Sequence, residues 1–371
     1  MKTTGKRNYG IDLLRIVSMS MIVMLHTLSR SKLLDIDQTT LKYAFVWFLE
    51  IFSYCAVNCF VLISGYVGVH SKFRVSRILG LWVQVAFYSV LFEVIHQLHT
   101  QSFDLLKLVT SFAPVSMKAY WFFTCYFLLS LFMPFINHLV KTINRRQRWM
   151  LAILLFVCYS VVPMLMTSPL PVIGDRTVEY VSSKGGYSVL WLCIMYAYGA
   201  ILRLDLDEKP VSFSRIKTAV GFALCVLVTW AFWCGRIHVT SIGGKAWYMV
   251  SYTAPLVVLA AVFLLLLFKE IPVGKLAQPL VNIFSASAFS VYLVHSHPRV
   301  YEHYVEFVKP LLPLDGRQLL LWLPVTILVV YLVCTVIDLV RSFVFKHCGI
   351  DRMIKKVDTV GFIKAFEDDN R

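Results

Sequence analysis

Apolar residues along this chain come in blocks of about 17–25, the length a helix needs to cross a bilayer. Polar stretches no longer than about 20 residues separate them. Ten such blocks run over 10–29, 43–69, 78–98, 119–140, 149–168, 187–203, 216–234, 249–268, 280–298 and 319–345. Each predicts a transmembrane helix, which makes the chain all-α and polytopic. The sixth block is the shortest. The second and tenth are long enough to tilt or to extend beyond the membrane. No internal repeat and no appended soluble segment interrupts the series, so residues 1–371 read as one membrane-embedded domain. Its spans end near 345, and a tail over 346–371 turns from basic to acidic, as an interfacial or disordered segment would.

Composition narrows the class. Of 371 residues, 58% are hydrophobic and 15% are charged, against about 25% charged in soluble proteins; mean hydropathy is +0.70. The net charge of +15 suggests nucleic acid until its placement is considered. Lys and Arg sit in short loops between apolar blocks, the positive-inside pattern, and a nucleic-acid partner is rejected on that ground. Alternate connections hold about 23 and about 12 of these residues, the larger share on the side of both termini. Both termini are therefore expected in the cytosol. The first block is too long for a cleavable signal and no small-x-small site follows it, so it is expected to remain as a span. The nine cysteines are scattered, with Cys55 and Cys59 four apart and no CxxC pair. They read as helix packing, and no metal site is expected.

The first span, "GIDLLRIVSMSMIVMLHTL", carries Arg15 and His26. Eleven steps of about 100° bring both to one helix face, about 16 Å apart along the axis. Arg15 alone can snorkel to the interface or pair with Asp12. Two polar groups on one face imply a polar cavity between helices. With the N-terminus inside, Arg15 lies near the cytosolic side and His26 near the outer side. Glu50 shares the outer depth of His26 and is a candidate to orient it. Ser64 and Gly65 approach the cytosolic side, followed by Arg74 and Arg77. Trp121, His295 and His297 fall near the outer face, His297 at the interface. An imidazole takes a proton from a hydroxyl near neutral pH, and a guanidinium holds phosphate or an oxyanion. Such a pair suits transfer of a group from an anionic cytosolic donor to an outer hydroxyl, without naming the group.

Five stretches extend this reading. "IDLLRIVSMSMIVMLH" resembles the Arg, ten residues, His motif that opens the integral-membrane acyltransferases of acyltransferase family 3. "CFVLISGYVGV", "FRVSRILGLW", "AYWFFTCYFLLSLFMP" and "SAFSVYLVHSHP" resemble, in order, that family's Ser-Gly span, basic turn, Trp-Phe span ending in proline and late Tyr-Leu-x-His element. The resemblance covers about 10–345 and is nearest to the stand-alone O-acetyltransferases of bacterial surface polysaccharides. It implies a bacterial plasma-membrane enzyme with acyl-CoA, acetyl-CoA foremost, as cytosolic donor. The acceptor it implies is a hydroxyl of a cell-surface glycan or its lipid-linked precursor. By position it makes Arg15 and His26 the catalytic pair and gives Arg74, Arg77, Ser64 and Gly65 to the donor. Trp121, His295 and Glu50 are assigned to the acceptor side; Glu50 lies outside the family pattern. Bland alternatives are positive-inside anchoring for Arg74 and Arg77, small-residue packing for Ser64 and Gly65, and an aromatic-belt role for Trp121. A polytopic transporter or flippase of a surface-glycan pathway is the competing class, disfavoured by the lack of a repeat.

Overall fold

The computed structural model describes residues 7–113, 120–167, 183–235 and 249–360. The last part of the expected tail, 361–371, the first residue of the fourth expected span, 119, and the last residue of the fifth, 168, lie outside the described residues. The described residues form helices and no strand. Helix α1 spans Tyr9–Arg30, α2 Leu41–Ser53, α3 Ala56–Gly68, α4 Val75–Thr100 and α5 Leu105–Thr110. Next come α6 at Trp121–Thr142, α7 at Arg145–Phe156 and, through a π-helical turn, α8 at Val162–Thr167. Helices α9 at Val189–Glu208, α10 at Arg215–Gly235, α11 at Pro255–Lys269 and α12 at Gln278–His295 follow. The chain closes with α13 at Tyr301–Val308, α14 at Gly316–His347 and α15 at Ile350–Lys356.

Among the described residues eight helical stretches are long and apolar enough to cross a membrane. Helices α11 and α12, of 15 and 18 residues, accompany them, so ten spans is an approximate count. Polar caps set where several begin. The Asn8 side chain accepts from Gly10 and Ile11 at the start of α1, and Asp315 and Gln318 form a reciprocal capping box at α14, each satisfying N–H groups that a helix end leaves open. The long second span is not one tilted helix. It breaks at Tyr54–Cys55 into α2 and α3. Asn58, one turn into α3, donates to the Tyr252 carbonyl at 2.8 Å and accepts from Trp191 Nε1 at 3.0 Å, so the region of the break is tied to neighbouring segments.

Helix α1 packs against α2, α3, α11, α12 and α14, and its apolar side chains join one cluster that runs from Ile11 to Cys334. The tightest seam lies between α3 and α9. A Cβ on Gly65 would stand 1.9 Å from the Tyr196 carbonyl oxygen, and one on Gly199 2.0 Å from that of Leu62. Each helix thus presents bare backbone to the other, the small-residue packing that apolar surroundings favour. Ion pairs join α7 to α9: Arg145 with Asp205, and the buried Arg148 with Glu208. Asp358, beyond α15, accepts from the Ser76 amide and hydroxyl at 2.8 and 2.6 Å and caps the first turn of α4.

Short connections make successive spans antiparallel. The start of α1, the ends of α3, α6, α9 and α14 and the start of α4 therefore share one face, called here the basic face. The end of α1, the start of α6 and the end of α12 share the opposite one, the histidine face.

Candidate active site

At the basic face α3, α4 and α6 diverge around a cavity of about 1090 Å³. Its lining brings together Arg15 of α1, Ser64 of α3, and Arg74 and Arg77 at the start of α4, and it adds Lys72 and Lys141. Among the described residues five cationic side chains and no carboxylate face this volume. Such a field concentrates anions. Its deep end is neutral and polar. Ser64 Oγ donates to the Phe60 carbonyl at 2.9 Å and lies 3.1 Å from the Tyr126 hydroxyl. Pro134 and Ser130 of α6 also line the cavity. Proline lacks the N–H that would bond the carbonyl four residues earlier, so α6 loosens beside the open volume.

Arg15 donates to Asp12 at 2.7 Å, and Asp12 also receives Arg7 at 2.6 Å. Asp12 lies one turn nearer the start of α1, so the Arg15 guanidinium points toward the basic face and away from His26. With about 16 Å between the two residues along the helix, they serve different parts of any ligand.

At the histidine face His26 Nδ1 and His295 Nε2 stand 2.8 Å apart. His295 Nδ1 lies 2.5 Å from the Val291 carbonyl oxygen. A carbonyl only accepts, so His295 Nδ1 carries a hydrogen. In a neutral ring Nε2 is then the acceptor. His26 Nδ1–H donates to it, and the lone pair of His26 rests on Nε2. No hydrogen bond among the described residues engages that atom. This is the tautomer a general base requires, imposed from the partner's far side. His295 is 1% exposed, whereas His26 is partly accessible.

Neighbours hold the pair in place. Arg30 donates to the His295 carbonyl at 2.7 Å and stacks over the Tyr301 and Tyr304 rings at 5.0 and 4.8 Å. Thr27 donates to Val23 at 2.8 Å, so the Tyr304 hydroxyl donates to Thr27, also at 2.8 Å. Ser296 Oγ lies 3.2 Å from His26 Nδ1.

Other expected site residues fall elsewhere. Gly65 is outside the cavity lining, in the α3–α9 seam, where its lack of a side chain admits the Tyr196 backbone. Among the described residues Glu50 makes no hydrogen bond to His26, whose Nδ1 faces His295 Nε2. The buried Glu50 side chain leaves Oε2 without a partner. His295, expected on the acceptor side, is buried and is hydrogen-bonded to His26 and the Val291 carbonyl. His297, expected at the interface, is buried within the protein: it packs on Phe92 and Tyr120 at 4.8 and 5.9 Å and accepts the Arg299 amide at 3.0 Å. Trp121, half-buried at the start of α6, packs on Tyr187 and Tyr252 at 4.5 and 6.0 Å. Sequence reasoning missed Lys72, Lys141, Arg30 and Tyr126. Lys72 had a signal, since it precedes Arg74 in the same basic turn; a lone tyrosine in an apolar span has none.

The family model for an acyltransferase domain matches residues 8–339. No curated protein and no solved structure matches the chain.

Proposed function

The chain belongs to the membrane acyltransferases of family 3, and from that premise we propose that it moves an acetyl group from cytosolic acetyl-CoA to a hydroxyl of a cell-surface glycan or its lipid-linked precursor. The membrane is the bacterial plasma membrane, with the basic face in the cytosol. The observation that carries this reading is the cavity: among the described residues five cations and no carboxylate surround about 1090 Å³, one of them Arg15 on the helix that holds His26 near its other end.

In this scheme the donor's phosphates lie on Arg74 and Arg77, with Arg15 as a further phosphate contact. The Arg15 guanidinium is too far from His26 Nε2 to meet a carbonyl under attack beside it, which favours the phosphate over the oxyanion role. The long pantetheine arm reaches along α1 toward the histidine face. His26 Nε2 takes the proton as the acceptor oxygen attacks the acyl carbon. The carbon–sulfur bond breaks, and the thiolate leaves with the proton from His26. His295 holds the His26 tautomer through the cycle.

Purified protein in detergent, given acetyl-CoA and a surface-glycan acceptor, is expected to release free CoA thiol in step with acetylated acceptor. A transporter releases none, and that result would remove the reading. Replacing Arg74 and Arg77 together by Gln should raise the apparent acetyl-CoA requirement more than it lowers the maximal rate, the signature of binding lost equally from ground and transition states. An unchanged requirement leaves them as topology anchors. Reporter fusions at Lys2 and Arg371 should both report the cytosol; an external signal at either end reverses the assignment of faces.

A further inference from the structure

Glu50 is the least explained charged group among the described residues. It sits in α2, 8% exposed, and Oε2 has no hydrogen-bond partner among the described residues. None of the ion pairs among the described residues includes it. A buried carboxylate without a cation is expensive. Its surroundings are aromatic. Tyr54, one turn along, lies on the same helix face. Tyr252 packs on Tyr54 at 5.0 Å and on Tyr187 at 5.1 Å, and Trp121 lies 4.5 Å from Tyr187. The outer member, Tyr187, is 46% exposed.

Aromatic faces attract cations, organic ammonium groups above all. A carboxylate at the base of an aromatic wall adds the countercharge. Sugar hydroxyls satisfy the rings and leave the charge uncompensated; an ammonium answers both. The wall also leads to the histidine pair. Phe122 lies 5.8 Å from Trp121 and 5.8 Å from Tyr292, and Tyr292 lies 6.4 Å from His295. The ring contacts run without a gap from Tyr252 through Trp121, Phe122 and Tyr292 to His295.

We propose that Glu50, with Trp121, Tyr187 and Tyr252, binds an organic ammonium group carried by the acceptor, so that the acetylated molecule is a cationic or zwitterionic glycan. The acceptor role rests on the acyltransfer reading above; the ammonium site does not. Two sources share this chemistry, a primary amine on an amino sugar and a quaternary choline group.

The test is binding to the purified full-length protein, followed by calorimetry, with glucosamine and choline as probes and N-acetylglucosamine and glucose as neutral controls. The ammonium probes should bind at least tenfold tighter than the controls. Choline tighter than glucosamine assigns the quaternary source, and the reverse assigns the amino sugar. Glu50→Gln should abolish the preference and Glu50→Asp should retain part of it. With a net charge of +15, bulk electrostatics opposes cation binding and cannot produce the preference. Equal binding of all four probes, or a preference that survives Glu50→Gln, overturns the proposal. No acyl donor is present, so the result is independent of catalysis: a preference found in a protein that transfers no acetyl overturns the proposed function and keeps the site.

Discussion

Replacing His26 by glutamine is expected to lower acetyl transfer by about 10²–10⁴-fold, the usual cost of losing a general base, with the protein inserted at its normal level. The geometry makes this a clean substitution. A glutamine amide can still donate to His295 Nε2, which sits 2.8 Å from His26 Nδ1, so the local hydrogen bond survives. The lone pair on Nε2 does not. His26→Ala should lose as much activity and also leave His295 Nε2 without its donor. The measurement is acetyl incorporated into surface glycan, normalised to membrane protein. Retention of more than about a tenth of activity by His26→Gln contradicts a base role and returns His26 to a structural one.

The second large effect is on folding. Gly65→Val and Gly199→Val should each destabilise the protein by more than ~3 kcal/mol, the upper range of overpacking. The built Cβ atoms meet backbone oxygens at 1.9 and 2.0 Å, and a carbonyl inside a helix cannot turn aside as a flexible side chain can. Helices α3 and α9 would have to separate, and with them Ser64 at the deep end of the cavity. Gly274→Ala, where nothing lies within 4 Å of the built Cβ, is the control and should stay within about 0.5 kcal/mol. Thermal unfolding in detergent and the level of protein in the membrane check the pair. Wild-type behaviour of Gly199→Val would show that the seam opens without cost.

Much of this architecture is legible in the sequence because a bilayer imposes it. Blocks of apolar residues mark the spans, and helical periodicity alone puts Arg15 and His26 on one face of α1. Basic loops gather at one side, which is why Arg74 and Arg77 meet Arg15 and Ser64 around one cavity. What stays illegible depends on which helices touch. His26 and His295 are separated by 269 positions, and neither pattern nor spacing says that α1 and α12 are neighbours. The same gap hides the true setting of Gly65: small residues on a span fit a ligand approach and a helix seam equally well, and only the position of α9 decides. The break at Tyr54–Cys55 is silent because no proline or glycine marks it. Glu50 was visible as a charge in an apolar span, but its lack of a partner is a property of three dimensions.

Transfer across the bilayer is tested most directly in sealed membrane vesicles from cells that make the protein. In inside-out vesicles the basic face is predicted to meet the medium and the endogenous acceptor is enclosed. Labelled acetyl-CoA added outside should then place label on enclosed glycan, protected from external deacetylation, with free CoA thiol appearing outside. Right-side-out vesicles should incorporate none, and neither should inside-out vesicles carrying His26→Gln. Label that appears only in right-side-out vesicles, or on acceptor exposed at the same face as the donor, would contradict a path that runs from the basic cavity to His26.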